Sequence, residues 1–466
     1  MRLSEIESLI DLDGREILCS LLQANVDERG DGNVGESIIG SDGYFRNHKR
    51  LSERKLKTLF GTIKIERVGY SSRNVGSLFP KDGQLNLPNE SYSFSLQKLL
   101  VYEVIKGSFG EAVETIKRLI GIIIPLKQAE KIVLEAAKDF YNFYDRSVST
   151  AHFQDNLLII TLDGKGVVIR SEDLRLATRK KADNNTHKMQ QRLSPGEKRN
   201  SKRMAAVASV YLVKPFVRTP FEVANELFDE RNEKKRKRPK PSFKRVWASL
   251  ELSFETIVCN MFAEAINRDP KKDKEWIALV DGDPKQIQYL EKHAKKHAIN
   301  LTIICDFIHV LEYIWKASNV FFTEPENRES WVKERLLRVL QGKSSLVAAG
   351  IKRSATRKKL TLSKREPVDK CANYLLNLAP YIKYHEYLNK GYPIATGVIE
   401  GACRYLVQDR MGITGARWGL CGAEAVLKLR SLKVSGEFDE YWKFYEKQEF
   451  IRNHESKYAN PIILTS

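Results

Sequence analysis

The chain predicts an α/β protein with a mixed sheet, an all-α insertion and a mainly helical N-terminal region. Three observations predict it. Between residues 156 and 309, short apolar runs alternate with helix-length amphipathic stretches, and three of those runs lead directly into an aspartate. From Val310 to about Leu388 the apolar spacing is helical almost throughout. Before residue 150 it is helical again, apart from one stretch of period-2 alternation.

Residues 1–90 read as an N-terminal helix and a small β region. Ile6, Leu9, Ile10, Leu12, Ile17, Leu18, Leu21 and Leu22 carry helical spacing until Gly30, Gly32 and Gly35 end it. Leu59 to Tyr70 then alternates apolar with polar residues, the mark of a half-buried strand pair. Residues 91–150 read as helical, with stripes at Leu96, Leu99, Leu100, Val104 and Ile105 and at Ala112, Val113, Ile116 and Leu119, then a third stretch from Leu126 to Phe143 bearing Lys127, Lys131 and Lys138. Helix, break at Gly121 and lysine-bearing helix fit a DNA-binding helix-turn-helix; a plain three-helix bundle fits the same spacing.

Residues 151–309 form the first part of the core. Asn156 to Leu162 reads as a buried strand, and Asp163-Gly-Lys-Gly166 followed by Val167 to Arg170 reads as a hairpin. Met204 to Val213 is the next strand, Lys234 to Arg245 a basic loop broken by two prolines, and Val246 to Asn267 a helix. Trp276 to Val280 ends in Asp281, a helix spans Pro284 to His297, and Leu301 to Cys305 ends in Asp306. That succession of strands and helices is the ribonuclease H-like order, in which carboxylates at the ends of the first and fourth strands meet. Residues 310–390 form the α-helical insertion, and residues 391–466 complete the core with a glutamate-bearing helix and C-terminal helices.

Asp163, Asp281 and Glu400 are the candidate catalytic and metal-ligating residues. Asp163 and Asp281 follow apolar runs, and Glu400 lies between a glycine-punctuated entry and a helix. Three carboxylates suit Mg²⁺, with Mn²⁺ as an alternative, because a hard ion prefers oxygen ligands and keeps several waters. Two such ions about 3.5–4 Å apart can activate a water or a 3′-hydroxyl and stabilise charge on a phosphoryl group in transfer. Asp283 competes with Asp281, and Glu424 with Glu400. Asp306 and His309 stand at a strand-to-helix junction as accessory candidates, or as a helix cap beside a surface histidine.

The charge fits this chemistry. Lys plus Arg number 78 against 59 Asp plus Glu, a formal +19 over 466 residues, which points to a polyanionic partner. The candidate DNA contacts are Lys198, Arg199, Lys202, Arg203, Lys235, Arg236, Lys237 and Arg238 in two basic stretches, with Arg404 and Arg410 around Glu400. The six cysteines contain no C-x-x-C pair, so no zinc is expected and the compartment reads as reducing. Charges interrupt the opening residues and no apolar run nears the roughly 20 residues of a membrane helix, so the expectation is a cytoplasmic, nucleoid-associated protein without membrane contact.

At these residues the chain resembles bacterial insertion-sequence transposases of the DDE type, close to the Mutator-like group. The resemblance rests on Gly61-Thr-Ile-Lys-Ile-Glu-Arg-Val-Gly-Tyr70, Leu85-Asn-Leu-Pro88, Gly107-Ser-Phe-Gly-Glu-Ala-Val113, Leu193-Ser-Pro-Gly-Glu-Lys-Arg199, Val280-Asp-Gly282, Asp306-x-x-His309 and, most specifically, Gly397 to Trp418. It runs from about residue 50 to residue 455. It implies a ribonuclease H-like core, an N-terminal region that binds transposon ends, and Mg²⁺-dependent cleavage and strand transfer into target DNA. It maps the triad onto Asp163, Asp281 and Glu400 and the accessory pair onto Asp306 and His309, and it suggests that Arg417 and Trp418 hold end DNA. The partners it implies are double-stranded DNA and further copies of the chain, a homodimer or larger assembly, because two ends must be brought together. A DNA-binding relic without activity, and another metal-dependent nuclease on the same fold, are the alternatives.

Overall fold

The computed structural model describes residues 1–146, 156–185, 198–228, 236–413 and 415–464. Two compact units divide the chain, Met1–Ser147 with Cys421–Ser466, and Val148–Leu420. The expected final segment, 391–466, is therefore split at 420/421 between the two units.

The second unit is mixed α/β, built on a five-stranded sheet. Its strands are β1 (Leu157–Val168), β2 (Lys202–Val213), β3 (Ser242–Ser249), β4 (Trp276–Val280) and β5 (Leu301–Cys305), in the order β5-β4-β1-β2-β3. β1, β2 and β3 pair antiparallel, whereas β4 runs parallel to both β1 and β5. Parallel neighbours need crossovers, and α1 (Phe254–Arg268) and α2 (Pro284–Lys296) supply them. Ser253 caps α1 by accepting from the Thr256 amide, and Asp283 caps α2 with Pro284 at its first position. All of Leu157 to Leu162 and Trp276 to Val280 is buried, as strands covered on both faces require.

Two expectations for this sheet are corrected. The Asp163-Gly-Lys-Gly166 hairpin is absent: β1 runs through it, with Asp163 opposite Val207 and Gly166 opposite Met204. Neither glycine has the positive φ that a type I′ turn needs. Gly164 instead permits a close approach, since a Cβ there would lie 3.0 Å from Met204 Cε and 3.1 Å from Phe254 Cζ. The helix expected from Val246 is also displaced. Ser242–Ser249 is edge strand β3, and the helix begins at Phe254. Val246, Trp247 and Ala248 are buried beside β2, where aromatic and β-branched residues fit a pleated surface.

The insertion is helical. α3 (Phe307–Phe321), α4 (Pro325–Leu340), α5 (Ser344–Arg357) and α6 (Leu362–Asn377) pack in succession, and α6 closes back on α3. Val310, Ile314, Leu336, Val339, Ile351, Val368, Cys371 and Leu375 are buried in these helices. Beyond a short helix at Tyr384–Asn389, the chain returns to the sheet through α7 (Gly397–Ala402), which packs on β1 and β2.

In the first unit, the expected N-terminal helix spans Leu3–Glu28, and its Cys19, Leu22 and Val26 pack with Leu56, Ile63, Ile65 and Leu87. The strands His48–Lys57, Thr62–Ser72 and Val75–Leu78 form an antiparallel sheet. Helices Phe94–Val104, Phe109–Ile120, Leu126–Ala136 and Phe140–Arg146 follow. The C-terminal helix Phe438–Asn453 joins them: Arg452 makes a two-pronged ion pair with Asp139 at 2.8 Å, and His454 Nε2 lies 2.8 Å from the Leu87 carbonyl. Among the described residues no helix is long and apolar enough to cross a membrane.

Candidate metal centre

Five side chains named from the sequence meet at one end of the sheet. Asp163 projects from β1, Asp281 follows β4, Asp306 follows β5, His309 lies in the first turn of α3 and Glu400 in α7. The tightest group is not the expected triad. Ligand atoms of Asp306, His309 and Glu400 all lie within 4.8 Å of one another, and among the described residues no other such group of acids, histidines and cysteines occurs. Asp163 and Asp281 stand beside it: the Asp163 charge acts on both Asp281 and Glu400, and His309 acts on both as well.

Asp306 is wholly buried, and its hydrogen bonds explain why. One carboxylate oxygen caps α3 by accepting from the Ile308 amide at 2.8 Å. The other accepts from the Thr396 amide at 3.2 Å and from the Thr396 hydroxyl. Thr396 Oγ1 is in turn 3.5 Å from Glu400 Oε1, four residues on. Asp306 thus ties the start of the insertion to the turn that delivers Glu400. The capping reading and the accessory reading describe the same carboxylate.

Asp281 is set by its turn and by the insertion. Its Oδ1 accepts from the Asp283 amide at 3.0 Å, and its carbonyl accepts from Tyr374 Oη of α6 at 2.8 Å. Gly282 between them has φ +95°, and a Cβ there would lie 2.6 Å from Leu378 Cδ1, so no other residue fits without strain. Asp283, the competitor of Asp281, is engaged in capping α2, with the Lys285 amide 2.7 Å from its Oδ1. Glu424, the competitor of Glu400, is buried in the other unit, 4.0 Å from Lys428.

Asp163 accepts from its neighbour Gly164 N at 2.6 Å and, through Oδ2, from the buried Cys403 thiol at 3.2 Å. Burial, with the Asp163 charge behind it, raises the pKa of Cys403 and keeps it a protonated donor. Cys403 opens a π-helical turn, Cys403–Gln408, a geometry found disproportionately at functional sites.

Crowding shows in the protonation equilibria. Burial pushes Asp281 above the ordinary carboxylate range; the Asp283 amide opposes it, the Asp163 charge adds to it and His309 opposes it. Glu400 is exposed as a residue, but partial desolvation of its carboxylate raises its pKa, and the charges of Asp306 and Asp163 raise it further. Asp306 is raised by burial against the opposing Thr396 and Ile308 hydrogen bonds. An oxygen-rich set of like charges with one imidazole suits a hard divalent cation, which would relieve that repulsion.

The basic candidates divide. Lys198, Arg199, Lys202, Lys237, Arg404 and Arg417 are exposed, and Lys235 lies outside the described residues. Arg236 and Arg238 are exposed but engaged: Arg236 donates to the Val217 carbonyl at 2.5 Å, and Arg238 pairs with Glu226. Arg203 is half-buried and donates to the carbonyls of Leu250 and Asp173 at 2.8 and 2.9 Å. Arg410 and Trp418 are corrected as DNA contacts. They are 2% and 8% exposed, the guanidinium sits 4.7 Å over the indole, and Trp418 Nε1 donates to the Met411 carbonyl at 3.1 Å. Trp418 also bridges to β1 beyond its end, its carbonyl accepting from the Arg170 amide at 2.9 Å. The pair braces the turn after α7 and presents little surface to DNA.

Sequence reasoning missed Thr396, Cys403 and Tyr374. The first two stand four residues before and three after Glu400, spacings that share a helix face and could have marked them. Tyr374 comes from the insertion, and no local signal marked it. In comparisons with known proteins, no family model matches the chain and no curated protein matches it significantly.

Proposed function

We propose that this chain is a DDE-type DNA transposase with a ribonuclease H-like core, which cleaves transposon ends and joins them to target DNA. The observation that carries the reading is the convergence of Asp163, Asp281 and Glu400, with Asp306 and His309, from β1, the end of β4, the start of α3 and the helix after the insertion. The order β5-β4-β1-β2-β3, antiparallel on one side of β1 and parallel on the other, supports the ribonuclease H-like description.

Asp163, Asp281 and Glu400 would hold Mg²⁺ or Mn²⁺. When bound, such ions stabilise the charge that grows on phosphoryl oxygens during transfer. Asp306 and Thr396 hold Glu400 to the sheet, and Cys403 fixes the rotamer of Asp163. The excess of cations draws in DNA from a distance. Because these carboxylates repel each other without an ion, ion binding and catalytic readiness rise together.

The test is cleavage of a duplex taken from the DNA flanking the reading frame, with native protein and with Asp281→Asn. Native protein should nick it only with Mg²⁺ or Mn²⁺ and join the product to a second duplex, and the variant should bind but not cut. Binding without cutting by both would identify a DNA-binding relic. Cutting without joining would identify a nuclease of another role.

A further inference from the structure

Beside the carboxylates lies a largely apolar cavity whose charged wall residues are Lys214, Arg218 and Arg238 with Glu226 and Glu400. It has a volume of about 380 Å³, and its wall includes Lys214, Phe216, Arg218, Arg238, Ile394 and Glu400. Glu400 is thus shared between the acidic cluster and this cavity. Lys214 and Arg218 come from the loop directly after β2, a stretch that no motif singled out.

Arg218 is the unusual member. It is 8% exposed, and its one hydrogen bond among the described residues runs from Nη2 to the Tyr392 carbonyl at 3.3 Å. Its Nε has no partner. Burying a guanidinium is costly unless an anion accompanies it. The nearby carboxylates are already engaged: Glu226 takes Arg238, and Glu222 accepts from the Thr219 amide at 2.6 Å and lies 3.8 Å from Arg236. Arg236 and Arg218 lie 4.5 and 5.6 Å from the centre of the Phe216 ring. With Arg236 and Arg238 paired to Glu222 and Glu226, Lys214 and the under-partnered Arg218 are the cations left to a ligand in a pocket that suits one nucleotide unit rather than a duplex.

We propose that this cavity is a phosphate subsite, which takes a phosphodiester of the DNA strand lying at Glu400, with Lys214 and Arg218 as its cationic ligands. The choice of DNA as the source of the phosphate rests on the function proposed above; the anionic character of the ligand rests on the buried Arg218, whose Nε has no partner. A phosphate here would complete the coordination of Arg218 and set the strand's register against the carboxylates.

The experiment measures binding of a fluorescein-labelled duplex from the flanking DNA across a salt series, with Ca²⁺ present, for native protein, Lys214→Met, Arg218→Met and Arg218→Lys. Each methionine variant should reduce the slope of log affinity against log salt by about 1, the signature of one lost phosphate contact, and Arg218→Lys should restore most of it. Lys214 is exposed, so its variant decides the matter even where Arg218→Met does not fold. An unchanged slope for folded Lys214→Met, or native binding that does not depend on salt, overturns the subsite. A reduced slope with no cutting by native protein upholds the subsite and sinks the transposase reading; cutting with an unchanged slope does the reverse.

Discussion

Thr396 and Cys403 act on the two carboxylates that the cluster most needs oriented. Removing the Thr396 hydroxyl leaves buried Asp306 with a donor fewer, so Thr396→Ala should destabilise the fold by about 1–3 kcal/mol, read as a lower denaturant midpoint at unchanged slope. Cys403→Val removes the donor to Asp163 while nearly keeping the volume, and should slow cleavage about tenfold, the kinetic equivalent of roughly 1.4 kcal/mol, with DNA affinity unchanged. Cys403→Ser keeps a donor and should lose less. Equal losses for Val and Ser would show that packing, and not the hydrogen bond, is what matters.

The elements hold the site through a few contacts far apart in sequence. The Arg410–Trp418 pair locks the segment after α7 against β1, so Trp418→Ala should cost about 3–5 kcal/mol, the range for a buried large aromatic, and should lower stability before it changes DNA affinity at native conditions. A folded Trp418→Ala with native stability but weakened end binding would restore the DNA-contact role. Gly282 tests the junction of β4 with the insertion. Its positive φ and the contact with Leu378 mean that Gly282→Ala strains the backbone carrying Asp281, with a cost of about 1–3 kcal/mol in the melting curve.

Across the molecule, the raised carboxylates link stability to pH and to divalent ions. A carboxylate whose folded pKa exceeds its unfolded value contributes stability that is full below the unfolded pKa and lost as pH rises through the folded one. Asp281, Asp306 and Glu400 all shift upward, so the metal-free protein should lose stability from these groups as pH rises above the ordinary carboxylate range. Asp281→Asn or Glu400→Gln should therefore raise the melting temperature of metal-free protein at neutral pH, by about 2–4 °C for each kcal/mol of repulsion relieved. Mg²⁺ or Mn²⁺ should raise the native melting temperature and leave that of a variant carrying both Asp281→Asn and Glu400→Gln unmoved. A melting temperature indifferent to both ions and to both substitutions would contradict the metal centre.

Much of the second unit was legible because its strands are short apolar runs and its helices carry caps. Asp281 and Asp306 declared themselves by following such runs, and Glu400 by its glycine-rich entry. Local patterning determines which residues can be strand, helix or turn. It does not determine pairing. The register that carries β1 straight through Asp163-Gly-Lys-Gly166, and the edge strand at Ser242–Ser249, follow from what lies alongside, since extended glycines and a short apolar run are locally ambiguous. The same holds for the membership of Cys421–Ser466 in the first unit and for the bonds of Tyr374 to Asp281, Thr396 to Asp306 and Cys403 to Asp163. Those contacts join residues tens to hundreds of positions apart, and only tertiary packing decides them, because desolvation and hydrogen-bond geometry depend on neighbours in space.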